Sequence, residues 1–317
     1  MASADEEVRM MTHVARLYHL QGIRQPEIAA RLDLSQAKVS RLLKKAQERG
    51  IVRITVTPPS GTFPELEDAV QERYGLRLAL VVETDPGDER TMLADMGAAA
   101  AYYLQTTLRS GDRVGISSWS ASLLAMVQAM QPVAGLKDVR IVQAVGGVGD
   151  PAAAAHASRL SGQLARLVSG EAVFLQAPGL AGTVESARAL REDPYVAAAL
   201  RELDDLDVVL VGIGETTPSS TLARSGNTFS EEERAALEKL GAVGDVCLRF
   251  YDGQGAPVES ELDLRAVGIT RDQLARAGRR VGVAGGRRKH AAIRGAVTGG
   301  LVDVLVTDQE TAAALLA

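Results

Sequence analysis

The chain has 317 residues, 46% of them apolar and only 3% aromatic, with 35 Lys+Arg against 40 Asp+Glu. That length admits one small and one large domain. The single cysteine, Cys247, excludes an internal disulfide framework and a cysteine metal cluster; an acidic N-terminus and the lack of any apolar run of roughly 18–20 residues argue against a signal peptide and a spanning helix, so a cytoplasmic protein is expected.

The charge is unevenly spread. Residues 1–57 hold ten Lys/Arg and six Asp/Glu, net +4, leaving 25 and 34, net −9, for the remainder. An N-terminal part that meets a polyanion would look like this, and so would a helix whose charges merely keep it soluble. Apolar spacing favours the first reading. Val8, Met11, Val14, Ala15, Leu17 and Tyr18 recur at helical spacing up to Gly22. Pro26 suits the first turn of a second helix carrying Ile28, Ala29 and Leu32. "LDLS" then reads as a tight turn, with Ser35 as N-cap of a third helix that turns Val39, Leu42 and Leu43 inward. After Gly50, "IVRITV" alternates as a strand. This order predicts a winged helix-turn-helix whose third helix enters the major groove. Gln36, Ala37, Lys38, Ser40 and Arg41 lie on its exposed N-terminal face, within reach of base edges; Lys44, Lys45 and Arg53 are expected at phosphates. A three-helix bundle used for protein contacts is the alternative.

"TPPSGTFP", residues 57–64, reads as a linker. A helix from Pro64 to about Tyr74 follows, its Leu66, Ala69 and Val70 serving a dimer contact or a connection. The expected layout is thus a DNA-binding domain over 1–57, a linker and connecting helix over 58–75, and an effector domain over 76–317. Within the last, short apolar strands are expected at 78–82, 112–116, 139–143, 207–214, 246–252, 279–286 and 302–308. Helices, notably 89–108, 152–168 and 308–316, separate several of them. That alternation predicts an α/β domain, doubly wound around a mostly parallel sheet. Ligands of such sheets sit beyond the carboxyl ends of the strands.

The loops at those ends are distinctive. "SSWSAS" (117–122) offers Ser118, Ser120 and Ser122 at a helix start, which suits a phosphate. "QAVGG" brings Gln143, Gly146 and Gly147, whose small size permits close backbone approach. "GIGETTPSST" contains Gly214 in a fragment of a dinucleotide fingerprint, but no helix follows at once. Asp252 can accept sugar hydroxyls. "GGRRK" sets Gly286 and Lys289 at a helix start, a plausible phosphate clamp. Each loop also has a plain structural reading as a turn, a cap or a solvated surface; their convergence on one sheet edge favours a pocket for a phosphorylated, hydroxyl-bearing small molecule. Trp119 either stacks on a sugar or packs, Cys247 reads as core and His290 as helix surface. Nothing calls for a metal or a cofactor.

Two sets of residues resemble a known family. "QPEIAARLDLSQAKVSRLLKKAQERGIVRI" resembles the helix-turn-helix of the SorC/DeoR-type bacterial sugar-responsive transcription regulators. "DVVLVGIG", "GAVGDVCLRFYDGQGAPV" and "GVAGGRRKHAAIRGAVTGGLVDVLVTDQETAAALL" follow in that family's order and spacing. The resemblance covers essentially the whole chain. It implies an operator-binding homodimer or homotetramer whose effector domain is similar to sugar-phosphate isomerases, glucosamine-phosphate deaminases and CoA transferases. By motif, Lys289 and Ser122 would bind phosphate, Asp252 would face sugar hydroxyls, and the "QAVGG" loop would line the pocket. Many members carry a "SWGxT"-like loop where this chain has Ser120 and Ser122 in the places of Gly and Thr. The second loop lacks an arginine that grips a second phosphate in some members, which leans toward a monophosphate or an unphosphorylated polyol. An enzyme with an appended DNA-binding domain is the competing expectation, with Asp252 or Glu215 as acid or base.

Overall fold

The computed structural model describes residues 4–53, 61–84, 87–147, 151–217 and 229–317. The chain forms two compact units, residues 1–58 and 59–317.

In the first unit α1 (Ala4–Ala15) runs into a π-helical turn, Arg16–Leu20, and α2 (Gln25–Arg31) and α3 (Gln36–Glu48) follow. Gly22 and Asp33 take positive φ, of 66° and 52°, where the chain leaves one helix for the next. Ser35 starts α3 by accepting the Lys38 N–H at 3.2 Å, one of the donors a helix start leaves unpaired. Met11, Val14, Leu17, Ile28, Val39, Leu42, Leu43 and Ala46 close one core; full burial of each large member is worth roughly 1.5–3 kcal/mol. Residues 51–53 are not a strand. The Val52 N–H bonds back to Ala46, and Ile51 and Val52 pack on the three-helix core. The rest of the expected wing strand, 54–56, lies outside the described residues.

The second unit opens with α4 (Pro64–Tyr74), then β1 (Leu78–Val82), α5 (Glu89–Thr107), β2 (Arg113–Ile116), α6 (Ala121–Ala129), β3 (Arg140–Gln143), α7 (Pro151–Leu167) and β4 (Glu171–Val173). It continues through α8 (Val184–Glu192), α9 (Pro194–Arg201), β5 (Val208–Val211), α10 (Glu231–Lys239), β6 (Ala242–Val246), β7 (Arg249–Asp252), α11 (Glu261–Arg265), α12 (Arg271–Arg276), β8 (Arg280–Val283), α13 (His290–Thr298), β9 (Val304–Asp308) and α14 (Gln309–Leu316). Seven strands make one parallel sheet in the order β1-β9-β8-β5-β2-β3-β4. Alternate side chains feed opposite faces. Val114, Ile116, Val208, Leu210, Val281 and Val283 meet α5, α6 and α7, while Val209, Val211 and Leu305 meet the opposite layer with Ile293 and Leu315. Burial on both faces is why these strands read as continuous apolar runs.

The stretch 246–252 does not form a sheet strand. It straddles the turn of an antiparallel hairpin, β6–β7, that stands apart from the parallel sheet.

Candidate functional site

The strand order reverses between β5 and β2: β2, β3 and β4 step outward on one side, and β5, β8 and β9 on the other. Ligands of open parallel sheets bind in the crevice at such a reversal. Three loops meet there, 117–120 after β2, 212–215 after β5 and 284–289 after β8. A Cβ on Gly212 would stand 2.5 Å from Ser120 Oγ, Ser122 Oγ donates to the Val283 carbonyl at 2.7 Å, and Lys289 Nζ donates to the Ile213 carbonyl at 2.8 Å.

The hairpin brings a carboxylate to the same place. Asp245 on β6 exchanges both backbone hydrogen bonds with Gly214, at 2.9 and 3.1 Å. A Cβ on Gly214 would fall 2.0 Å from Asp245 Oδ1, so the missing side chain makes room for the carboxyl. Its Oδ2 accepts the Leu248 N–H at 2.9 Å. Burial pushes the Asp245 pKa up to about 6, against the opposing pull of that N–H and of Lys289. Burial likewise lowers the pKa of Lys289, opposed by Asp245, Glu215 and Glu89, with Arg288 adding to the depression. A partly desolvated cation and carboxylate thus act on one another at a strand-end crevice. The cation suits an anionic group and the carboxylate suits hydroxyls. Arg288 reaches Glu215 and Glu89, each at 3.8 Å, on the exposed side of Lys289.

The hairpin tip is unusual. Cys247 and Leu248 both take left-handed backbone, φ 55° and 62°, in a two-residue turn that Asn-Gly normally fills. Both side chains are buried. Burial and Asp245 push the Cys247 thiol up to about 12, while a hydrogen bond with Ser117 opposes the shift.

Most of the polar side chains singled out by sequence are engaged in holding the loops. Ser118 is fully buried, donates to the Val145 carbonyl at 3.0 Å and accepts from Gln143 Nε2 at 2.9 Å. Gln143 Oε1 accepts the Leu175 N–H. Ser120 caps α6 by accepting the Leu123 N–H and lies 3.1 Å from the Ser122 hydroxyl. Trp119 is buried, and its indole N–H donates to the Gly146 carbonyl at 3.2 Å, which makes it a packing residue. Gly146 and Gly147 are buried as well. The Gly146 N–H bonds to Val267, and a Cβ there would stand 2.4 Å from the Pro178 carbonyl oxygen. The left-handed φ of 93° at Gly286 explains the glycine; its N–H is held by Asp308 Oδ2 at 2.8 Å and by the Thr311 hydroxyl at 3.1 Å.

Asp252 stands elsewhere. It pairs with Ala242 at the open end of the hairpin, three residues or about 10 Å along the strand from the Asp245 position. Its Oδ1 accepts the Gln254 and Ala256 N–H groups, both at 2.9 Å, closing a turn. Sequence reasoning did not single out Asp245: Ala-Val-Gly-Asp-Val shows no apolar alternation, and the Cys-Leu turn concealed the hairpin. His290 begins α13 half-buried, with a buried Nε2 that has no hydrogen-bond partner among the described residues.

In the first unit Gln36, Ala37, Lys38, Ser40, Arg41, Lys44 and Lys45 all lie exposed on α3, and Arg53 is exposed beyond it. Lys45 pairs with Glu7 at 2.7 Å, which lowers the Glu7 pKa, and Lys44 lies 4.0 Å from Glu48. Lys38 and Arg41 have no ion pair among the described residues; Arg41 Nε donates to the Ala37 carbonyl.

A family model described as "Putative sugar-binding domain" matches residues 60–317. The deoxyribonucleoside regulator of Bacillus subtilis is 32% identical over 311 residues, spanning 98% of each chain. The LsrR transcriptional regulator of Klebsiella pneumoniae is 33% identical, with 100% of this chain and 95% of that protein covered. The crystal structure of the full-length sorbitol operon regulator SorC of Klebsiella pneumoniae superposes with a TM-score of 0.75 at 28% identity, covering 100% of both chains. With the parallel sheet, the strand-end crevice and these likenesses in place, the chain belongs to the SorC/DeoR-type family of transcriptional regulators that carry the sugar-binding domain.

Proposed function

We propose that the chain binds operator DNA through the exposed face of α3, and that a small phosphorylated sugar, held in the crevice of the second unit, sets its operator affinity. The observation that carries this reading is the convergence of Lys289 and Asp245 on the loops after β5 and β8. Lys289 would meet the phosphate, and Asp245 would accept sugar hydroxyls. Ser118, Ser122 and Gln143 would fix the loops from behind, and Ser120 and the 286–288 backbone would line the opening. On α3, Gln36, Ala37, Lys38, Ser40 and Arg41 would face bases, while Lys44, Lys45 and Arg53 would neutralise phosphates. The regulator would act in the cytoplasm as a homodimer or homotetramer, since operator half-sites are read in pairs. A shift between two arrangements of the paired DNA-binding units needs only about 1–3 kcal/mol of coupling.

This reading includes no catalysis and no cofactor. An isomerase or deaminase would need a positioned acid–base pair; of the two candidates, Asp252 closes a turn and Glu215 lies 3.8 Å from Arg288. The test is fluorescence anisotropy on labelled DNA from upstream of the protein's own gene and its neighbours, titrated with salt and then with sugar phosphates beside the matching free sugars. Salt-steep, specific binding altered by one phosphorylated sugar is the expected result. A response to the free sugar alone would remove the phosphate from the reading, and no specific binding to any of these promoters would remove the regulator.

A further inference from the structure

A cleft of about 310 Å³ shares no lining residue with the crevice and is bounded by the end of α4, the loop after β7 and the second half of α13; Arg73, Tyr74, Gly253, Gln254, Arg294 and Thr298 line it. Lys289 precedes the first residue of α13, whereas Arg294 and Thr298 stand five and nine residues on, about 7.5 and 13.5 Å along the axis. The hairpin repeats this separation, with Asp245 near its tip and residues 253–254 beyond its open end.

The charged side chains of the cleft are both arginines. Arg73 Nη1 donates to the Leu316 carbonyl, Arg294 Nη2 to that of Ala314, and the Tyr74 hydroxyl to that of Leu315 at 2.7 Å. These bonds terminate α14, satisfying carbonyls that a helix end leaves open. They also lock both guanidiniums in place, with Arg73 lying 5.8 Å over the Tyr74 ring. Each anchor takes one nitrogen of a fork that carries five N–H donors. Neither guanidinium has a carboxylate partner among the described residues. Two like charges therefore line one cleft, each anchored to a backbone carbonyl and with donors to spare, together with Thr298 and Gln254. Next to the lining residues Gln254 and Thr298, Gly255 and Gly299 pack backbone to backbone, and a Cβ on Gly255 would stand 2.4 Å from the Gly299 Cα.

We infer that this cleft is a second anion site, built for a phosphate group bridged between Arg73 and Arg294. Two separately anchored forks suit a tetrahedral oxyanion that accepts from several directions, whereas one planar carboxylate would fill a single fork. The volume leaves room for a small organic moiety on the phosphate, so orthophosphate and a phosphate monoester share the required chemistry. The inference does not rest on the effector reading, because none of its residues belongs to the crevice.

The experiment is ³¹P NMR line broadening of inorganic phosphate and of glycerol 3-phosphate by the full chain, with sulfate as competitor. It is run in the Lys289→Gln background, which takes away the crevice's own phosphate partner, and repeated there with Arg73→Gln, Arg294→Gln or Arg294→Lys added, each checked for folding by its melting curve. Saturable binding is expected to remain in Lys289→Gln, and adding either arginine-to-glutamine change should weaken it at least tenfold. Arg294→Lys keeps the charge and loses the fork, so it should also weaken binding while preserving the melting curve better than the glutamine. Tighter binding of the monoester assigns the site to an organic phosphate, and the reverse order assigns it to orthophosphate. Absence of saturable binding at millimolar phosphate, failure of sulfate to compete, or survival of binding in all three arginine variants would each overturn the inference.

Discussion

The exposed face of α3 and the crevice of the second unit handle charge in opposite ways. On α3 the cations stand in water, some beside a carboxylate such as Glu7 or Glu48, and each interaction is weak and screened. In the crevice one cation and one carboxylate are stripped of much of their water, and each is altered by the surroundings. The contrast fits the two targets. A polyanion is gripped by many shallow contacts whose sum responds to salt, and a small molecule by few contacts whose strength comes from desolvation.

The comparison is broken most sharply at Asp245. A free aspartate titrates near 3.8, and here the value is about 6. Because the folded value is the higher, the native state loses stability as pH rises from about 4 through 6, by about 3 kcal/mol in all. Asp245→Asn removes that loss, so its melting temperature should match the parent near pH 4 and exceed it above pH 7, while sugar-phosphate binding weakens. A pH-independent difference between the two melting curves would deny that burial of this carboxyl is costly. Lys289→Gln comes next: removing a charged hydrogen-bonding partner should weaken effector binding about 10- to 150-fold, with DNA affinity in the absence of effector unchanged. Calorimetry and anisotropy read the two quantities separately.

On the other side of the comparison, Arg41→Ala should lower specific DNA affinity by about 1–3 kcal/mol, whereas Lys44→Ala should weaken binding evenly across sequences and reduce the salt slope by about one. Equal effects on operator and random DNA for both variants would erase the division between base and phosphate contacts. Ser122→Ala sharpens the picture with the smallest change. Loss of its bond to the Val283 carbonyl should cost about 1 kcal/mol of stability, seen in urea unfolding, with effector affinity almost intact. A large affinity loss at unchanged stability would return Ser122 to direct ligand contact.

Most of the parallel sheet was legible in the sequence because burial on both faces leaves uninterrupted apolar runs; the strand Leu78–Val82 was read to the residue and five others lie within the expected segments, but the three-residue edge strand Glu171–Val173, exposed or half-buried, has no such run and was missed. Helix starts were legible where a cap announces them, as Ser35 does for α3. The hairpin was not legible, since its turn is made by Cys247 and Leu248 in place of the residues that usually permit left-handed backbone. With it went Asp245, which lies beside Gly214 and Lys289, whereas Asp252, the carboxylate the sequence singled out, closes a turn at the open end of the hairpin. The Ser-rich loop was found, but composition alone does not tell a hydroxyl facing a ligand from one bonded inward, and Ser118 and Ser122 are of the second kind.

The sheet order also bears on how the chain is made. The edge strand Leu78–Val82 pairs only with Val304–Asp308 among the strands, and that same late segment separates it from Arg280–Val283. At typical synthesis rates the early strand waits on the order of ten seconds or more for its partner. Throughout that interval the first unit, whose core is drawn entirely from residues before the linker, is free to fold. The sensor therefore becomes competent last, and its two open edges are exposed to other growing chains until the final strand slides between them.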